Sequence, residues 1–97
     1  MLYVVSIRDP DFTQGFYLVP NRAQPLTSMW NRVFSVLKAT VCSYEEASDL
    51  VERFNLAATE GVVAEVKALT PAFLERTVVQ AYGTNSVAAK ICNLSPV

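Results

Sequence analysis

Four carboxylates crowded into the stretch Ser43 to Phe54 are the side chains best placed for chemistry: Glu45, Glu46, Asp49 and Glu52. A pair of carboxylates can divide the acid and nucleophile roles of glycoside hydrolysis. Glu45 and Glu46 suit a different task, since acids in a first helical turn face the positive end of the macrodipole. The remaining equipment of catalysis is missing from the sequence. There is no histidine, the usual general base near neutral pH and the commonest metal ligand. Cys42 and Cys92 lie fifty positions apart with no CxxC, which is not a zinc-binding pattern. Gly15, Gly61 and Gly83 are isolated, so no loop cradles a phosphate. A serine or cysteine nucleophile would lack an activating base. The expectation is a protein that is not an enzyme and uses no metal or cofactor.

The carboxylates need an element to carry them, and the spacing predicts a helix from Tyr44 to about Phe54. Ser43 and Glu46 have the separation of a capping box. Ala47, Leu50, Val51 and Phe54 repeat at i, i+3, i+4 and i+7, which makes an apolar stripe. Glu45, Asp49 and Glu52 fall on another face. Around this helix the chain reads as a small α+β domain. Leu2 to Arg8 is rich in β-branched and aromatic residues and reads as a strand. Turn chemistry from Asp9 to Gly15 leads to a second strand, Phe16 to Val19, completing a hairpin. Thr27 or Ser28 can cap a helix carrying Trp30, Val33, Phe34 and Leu37 on one face, although its β-branched content leaves a strand as an alternative. Thr40 to Cys42 is a connector. Val62 to Leu69 alternates with period two and reads as a third strand. Thr70-Pro71 opens a helix that runs to Tyr82 and ends at Gly83. A last helical turn is expected around Val87 to Cys92. The predicted architecture is one domain over residues 1–97: a mostly antiparallel sheet, a hairpin plus a third strand, covered by three to four helices.

Composition narrows the class. Of 97 residues, 52% are hydrophobic and 18% charged, which is enough apolar side chain for a core with some left over for a partner. No apolar run reaches the ~20 residues of a membrane helix. Met1 to Ile7 lacks the basic start of a signal peptide. The expected location is the cytoplasm, with Cys42 and Cys92 as buried free thiols. Net charge is −1, yet unevenly spread. Residues 1–42 hold four basic and two acidic side chains, residues 43–97 four basic and seven acidic.

Two surfaces follow from that asymmetry. Arg22, Arg32 and Lys38, near Trp30 and Phe34, are the candidates for direct nucleic-acid contact. Three charges are sparse for that role, and aromatic residues at helical spacing usually belong to a core. The acidic surface is the stronger candidate: Glu45, Glu46, Asp49 and Glu52, with Tyr44 beside them and Glu60 downstream. Its bland reading is a solvated helix face. Its functional reading is contact with a basic groove on a partner. From Glu45 to Glu52 a helix advances roughly 10 Å, over which duplex DNA carries about six charges. Three carboxylates are too few to imitate DNA unaided, so apolar anchors such as Tyr44, Tyr82 or Phe12 must share the work.

The ordered cues Tyr3-Val4-Val5, Gly15-Phe16-Tyr17-Leu18, Trp30, Thr40-Val41-Cys42-Ser43-Tyr44-Glu45-Glu46-Ala47 and Val62-Val63-Ala64-Glu65-Val66 together resemble small phage- and prophage-encoded α+β domains. Anti-CRISPR inhibitors are among proteins of this style. The resemblance covers residues 3–67. It implies a non-enzymatic inhibitor that occupies the nucleic-acid-binding surface of a host CRISPR complex, a type I effector complex in particular. The partner would be a host protein or protein–RNA complex with a basic surface. The alternatives are a small nucleic-acid-binding accessory module using the basic residues, and a homo-oligomeric phage structural or assembly protein.

Overall fold

A computed structural model describes residues 1–83, 85–87 and 90. Four strands form one sheet: β1 (Tyr3–Arg8), β2 (Phe16–Leu18), β3 (Arg32–Val33) and β4 (Val63–Ala68). Their order is β3-β2-β1-β4 and every pair is antiparallel. Two α-helices complete the frame, α1 (Tyr44–Ala57) and α2 (Pro71–Tyr82). The β1–β2 hairpin turns where Asp9 Oδ1 accepts from the Asp11 N–H at 3.0 Å, a side chain imitating a backbone turn. Gly61 lies between α1 and β4 at φ +89°, where a Cβ would stand 3.2 Å from Pro10 Cγ. Positive φ and close approach together require glycine there.

Alternation along the strands divides the residues between two faces. Val5 and Ile7 of β1, Phe16 and Leu18 of β2 and Ala64 of β4 point to one side, where Ala47 and Phe54 of α1 close the main core. Leu50 and Val51 pack against its margin, so the apolar stripe read from the sequence is the buried one. The other face carries Val4 and Tyr17. The Tyr17 ring meets Phe73 of α2 edge-on at 6.4 Å, and Val78 of α2 is buried. The sheet is thus covered on both faces. Thr70 caps α2 by accepting from the Phe73 N–H at 3.1 Å, Pro71 occupies the first turn, and Gly83 ends the helix at φ +79°.

The segment from Thr27 to Leu37 departs from expectation. It forms no α-helix, so among the described residues the named α-helices are two, α1 and α2, rather than three to four. Instead there is a 3-10 turn at Met29–Asn31, the short strand β3, and a second 3-10 turn at Val36–Lys38. The physical reason is that each serine opens a turn of its own while distant partners hold the residues between. Ser28 Oγ accepts from the Trp30 N–H and Ser35 Oγ from the Leu37 N–H, each at 3.3 Å, and the extended residues Arg32 and Ala39 close the two turns after one cycle. Between them Val33 pairs with Tyr17, adding a fourth strand to the sheet. The stripe expected to be core is outside: Trp30 is 82% exposed, and Phe34 and Leu37 are also exposed. Asn31 and Val36 are the buried residues of this stretch. The connector is extended, with Cys42 bridging Tyr3 through two 2.9 Å backbone bonds. Cys42 is a buried free thiol, its pKa pushed up by burial and by the charge of Glu46. Most of the expected last helical turn, and Cys92, lie outside the described residues.

Strand β4 is an edge strand, and α1 guards it. Asn55 Nδ2 donates to Ala64 O at 3.2 Å, and Asn55 Oδ1 accepts from the Ala64 N–H at 2.9 Å. One amide thereby takes the place of a neighbouring strand. Asn55→Ala should cost about 1 kcal/mol in urea unfolding followed by circular dichroism. It should also accelerate amide hydrogen exchange at Ala64 selectively, while exchange at Val5 stays slow.

Candidate functional site

The acidic face is built from the start of α1. Ser43, in extended conformation at φ −70° and ψ 166°, caps the helix by accepting from the Glu46 N–H at 3.2 Å. Its hydroxyl donates to Glu46 Oε1 at 3.2 Å. The box therefore closes through the two side chains. Glu45 and Glu46 occupy the first turn. Glu45, Glu46, Asp49 and Glu52 are all exposed, on the helix side away from Ala47 and Phe54. Asp49 is not a free charge, because Arg53 one turn later reaches its Oδ2 at 2.9 Å. Such an exposed i, i+4 pair adds only about 0.3–0.5 kcal/mol of stability, but it removes one charge from the stripe.

Tyr44 joins this surface. It is exposed, and its ring meets Tyr3 edge-on at 5.3 Å, while Val41 and Leu2 are exposed close by along the chain. Glu60 lies at the other end of the helix from Tyr44. It follows the C-cap Ala58 at the far end of α1, a helix about 21 Å long at 1.5 Å per residue. The other proposed anchors belong to other elements. Phe12 packs on Phe16 at 5.0 Å in the hairpin turn, at the opposite end of β1 from Tyr3. Tyr82 belongs to α2 and donates to Ser35 Oγ at 3.3 Å.

A second surface went unread in the sequence: the turn bearing Met29 and Trp30. Both are exposed, yet the turn behind them is tightly held. Asn31 is fully buried; its Nδ2 donates to Pro25 O at 2.6 Å and its carbonyl accepts from the Val19 N–H at 2.7 Å. Arg32 follows, with its side chain only 6% exposed. Its Nη1 meets Asp9 Oδ2 at 3.0 Å and its Nη2 donates to Thr27 O at 3.3 Å. The guanidinium lies 5.7 Å from the Phe16 ring centre and 5.9 Å from that of Phe54. The serines at 28 and 35 were the available sequence signal that this stretch is two turns rather than one helix.

Burial of Arg32 corrects the basic candidate. Arg22 and Lys38 remain at the surface without it. Arg22 instead lines a cleft of about 350 Å³ between the Pro20–Leu26 loop and α1, with Gln24, Leu50 and Arg53 among its walls. A second cleft of about 220 Å³ lies between Tyr17, Phe34 and Ser35 on one side and Thr77 and Gln80 of α2 on the other. Among the described residues no group of three or more His, Cys, Asp or Glu side chains is placed to hold a metal ion. None of the helices described is long and apolar enough to cross a membrane. Comparison with protein-family models, with curated proteins and with solved structures finds no match to this chain.

The Asp9 carboxyl is held below its ordinary value of 3.8 by the bond from the Asp11 N–H, against an opposing push from burial, and further by the hydrogen bond and charge of Arg32. A depressed carboxylate stabilises the fold at pH above its unfolded value, and that contribution disappears as pH falls through the folded value. The stability that Asp9 supplies should therefore be complete at pH 7 and fade below about pH 3.8. Arg32→Met and Asp9→Ala should each lower the urea midpoint sharply, and the double variant should lose clearly less than the two losses together. Additive losses at pH 7 would contradict a coupled buried pair.

Proposed function

We propose that this chain is a non-enzymatic protein-binding module, and that it acts as a phage anti-CRISPR by covering the nucleic-acid-binding surface of a host type I effector complex. The observation that carries the binding role is Trp30, 82% exposed on a turn whose rear is fixed by buried Asn31 and Arg32. Leaving a large aromatic in water forgoes roughly 1.5–3 kcal/mol of burial. Tryptophan is also the side chain most enriched among residues that dominate protein interfaces. A preorganised turn limits the entropy lost when such an anchor docks.

The acidic face of α1 supplies the second half of the reading. Glu45, Glu46 and Glu52, with Tyr44 at their end, favour a partner surface of positive potential, such as one that ordinarily holds nucleic acid. Neutralisation of Asp49 by Arg53 leaves the stripe still sparser than a DNA backbone. The module therefore works as a mixed contact, with apolar anchors for residence time and carboxylates for orientation. The resemblance of residues 3–67 to small phage-encoded domains supports the choice of target.

The test is competition. A type I effector complex loaded with its guide RNA is titrated with this chain and then given labelled target duplex in a gel-shift assay. The expected result is loss of the shifted band at a stoichiometric excess of the chain. Trp30→Ala and the pair Glu45→Lys/Glu52→Lys should each weaken the block by tenfold or more, with unchanged circular dichroism. An unaltered shift across several type I complexes would refute the target. A block indifferent to both variants would refute the surface.

A further inference from the structure

The cleft between the Pro20–Leu26 loop and α1 brings two kinds of chemistry to one place. Pro20, Leu26 and Leu50 give it apolar walls, and Arg22 and Arg53 give it two guanidinium groups. Leu26 and Leu50 pack against the main core, so the apolar side is held from behind. The loop is pinned as well: Asn21 Oδ1 accepts from the Ala23 N–H at 2.9 Å, and Asn21 O accepts from the Gln24 N–H at 3.2 Å. The Asn21 side-chain amide thereby keeps its N–H groups to offer. Gln24 Oε1 is buried within the wall and presents no surface to an anion. At about 350 Å³ the cleft lies at the small end of ligand sites, which run from about 300 to 1,000 Å³ and are largely preformed.

Charge then narrows the ligand. Among the described residues no acidic side chain lines the cleft. Asp49 reaches it only through Arg53, whose Nη2 lies 2.9 Å from Asp49 Oδ2. Two cations and that one carboxylate leave a single positive charge in excess. A carboxylate balances it, whereas a phosphate monoester, at about −1.5 to −2, overshoots. The guanidinium fork also matches a carboxylate through two parallel hydrogen bonds. A cation would meet two like charges, and a neutral hydrocarbon would leave the arginines unused. We propose that the cleft binds a small carboxylate with an apolar tail, its charge between Arg22 and Arg53 and its hydrocarbon against Leu26 and Leu50. Arg53 then stands between the ligand and Asp49, which ties the site to the helix bearing the acidic face. The site needs no macromolecular partner, and it stands whatever surface the chain covers.

Octanoate is the probe, added to the carbon-13-labelled full chain and followed by methyl NMR. The Leu26 and Leu50 methyl signals should shift and saturate in the millimolar range or tighter. The Thr77 methyl, in the other cleft, should stay still. Acetate, which lacks the tail, and octylammonium, which reverses the charge, should move none of them at the same concentration. Arg22 is exposed, so Arg22→Gln should keep the wild-type circular dichroism. It should weaken octanoate binding about tenfold, the loss expected for a charged hydrogen bond, and Arg53→Gln should do likewise. No shift with octanoate would overturn the proposal. So would an equal response to octylammonium, which any apolar surface gives, or to acetate, which means an adventitious ion only. Equal binding of octanoate by Arg22→Gln would overturn it too, and tighter binding of octyl phosphate would overturn the choice of carboxylate.

Discussion

The ion pair between Arg32 and Asp9 is the constraint around which the rest of this small protein is arranged. It joins residues that are 23 positions apart, the hairpin turn after β1 and the short strand β3. The same guanidinium ties down the carbonyl of Thr27 and lies against rings from β2 and α1. Taking both charges out of water carries a cost that good geometry and extra hydrogen bonds must offset. Asp9 has a backbone donor at Asp11 besides the arginine, so its carboxylate is well satisfied. What the pair secures above all is arrangement. A two-residue strand has too little ladder of its own to hold an edge, and Arg32 supplies the anchorage that length does not.

Parts of this structure are legible from local signals. The period of Val62 to Leu69, the serine and acids opening α1, and the Thr-Pro and Gly bracketing α2 all act within a few residues of themselves. The elements they announce are present. The stretch from Thr27 to Leu37 is different because its outcome is decided by distant partners. Trp30, Val33, Phe34 and Leu37 have helical spacing, but Val33 pairs with Tyr17 and Arg32 seeks Asp9. A charged residue reads as surface until its counter-ion is known, and that knowledge lies in the fold. In the candidate site, the exposure of Glu45, Glu46, Asp49 and Glu52 was legible. The four-residue spacing of Asp49 and Arg53 also stood in the sequence as a sign that the stripe is partly neutralised. The serines at 28 and 35 announce the turns, but the exposure of Met29 and Trp30 could not be read, since it depends on the buried contacts of Asn31.

The two helices treat the sheet differently. α1 closes the larger core with Ala47 and Phe54, and the same helix shields the β4 edge with Asn55. Its inner and edge-facing positions are thus committed to structure. Among the outward acids Glu46 closes the cap on Ser43 and Asp49 pairs with Arg53, while Glu45 and Glu52 can vary at little cost to the fold, the condition under which a binding surface can be tuned. The turn bearing Met29 and Trp30 follows the same division of labour, with polar residues held inside and apolar ones displayed.

Trp30 is the single tryptophan of the chain, and its exposure has a spectroscopic consequence. Its indole is already in a watery environment when the protein is folded, so its emission maximum lies near that of the unfolded chain. Intrinsic fluorescence is therefore almost blind to unfolding of this protein. The same property makes it a sensitive reporter of docking, because any partner that covers the turn moves the indole out of water and shifts its emission to the blue.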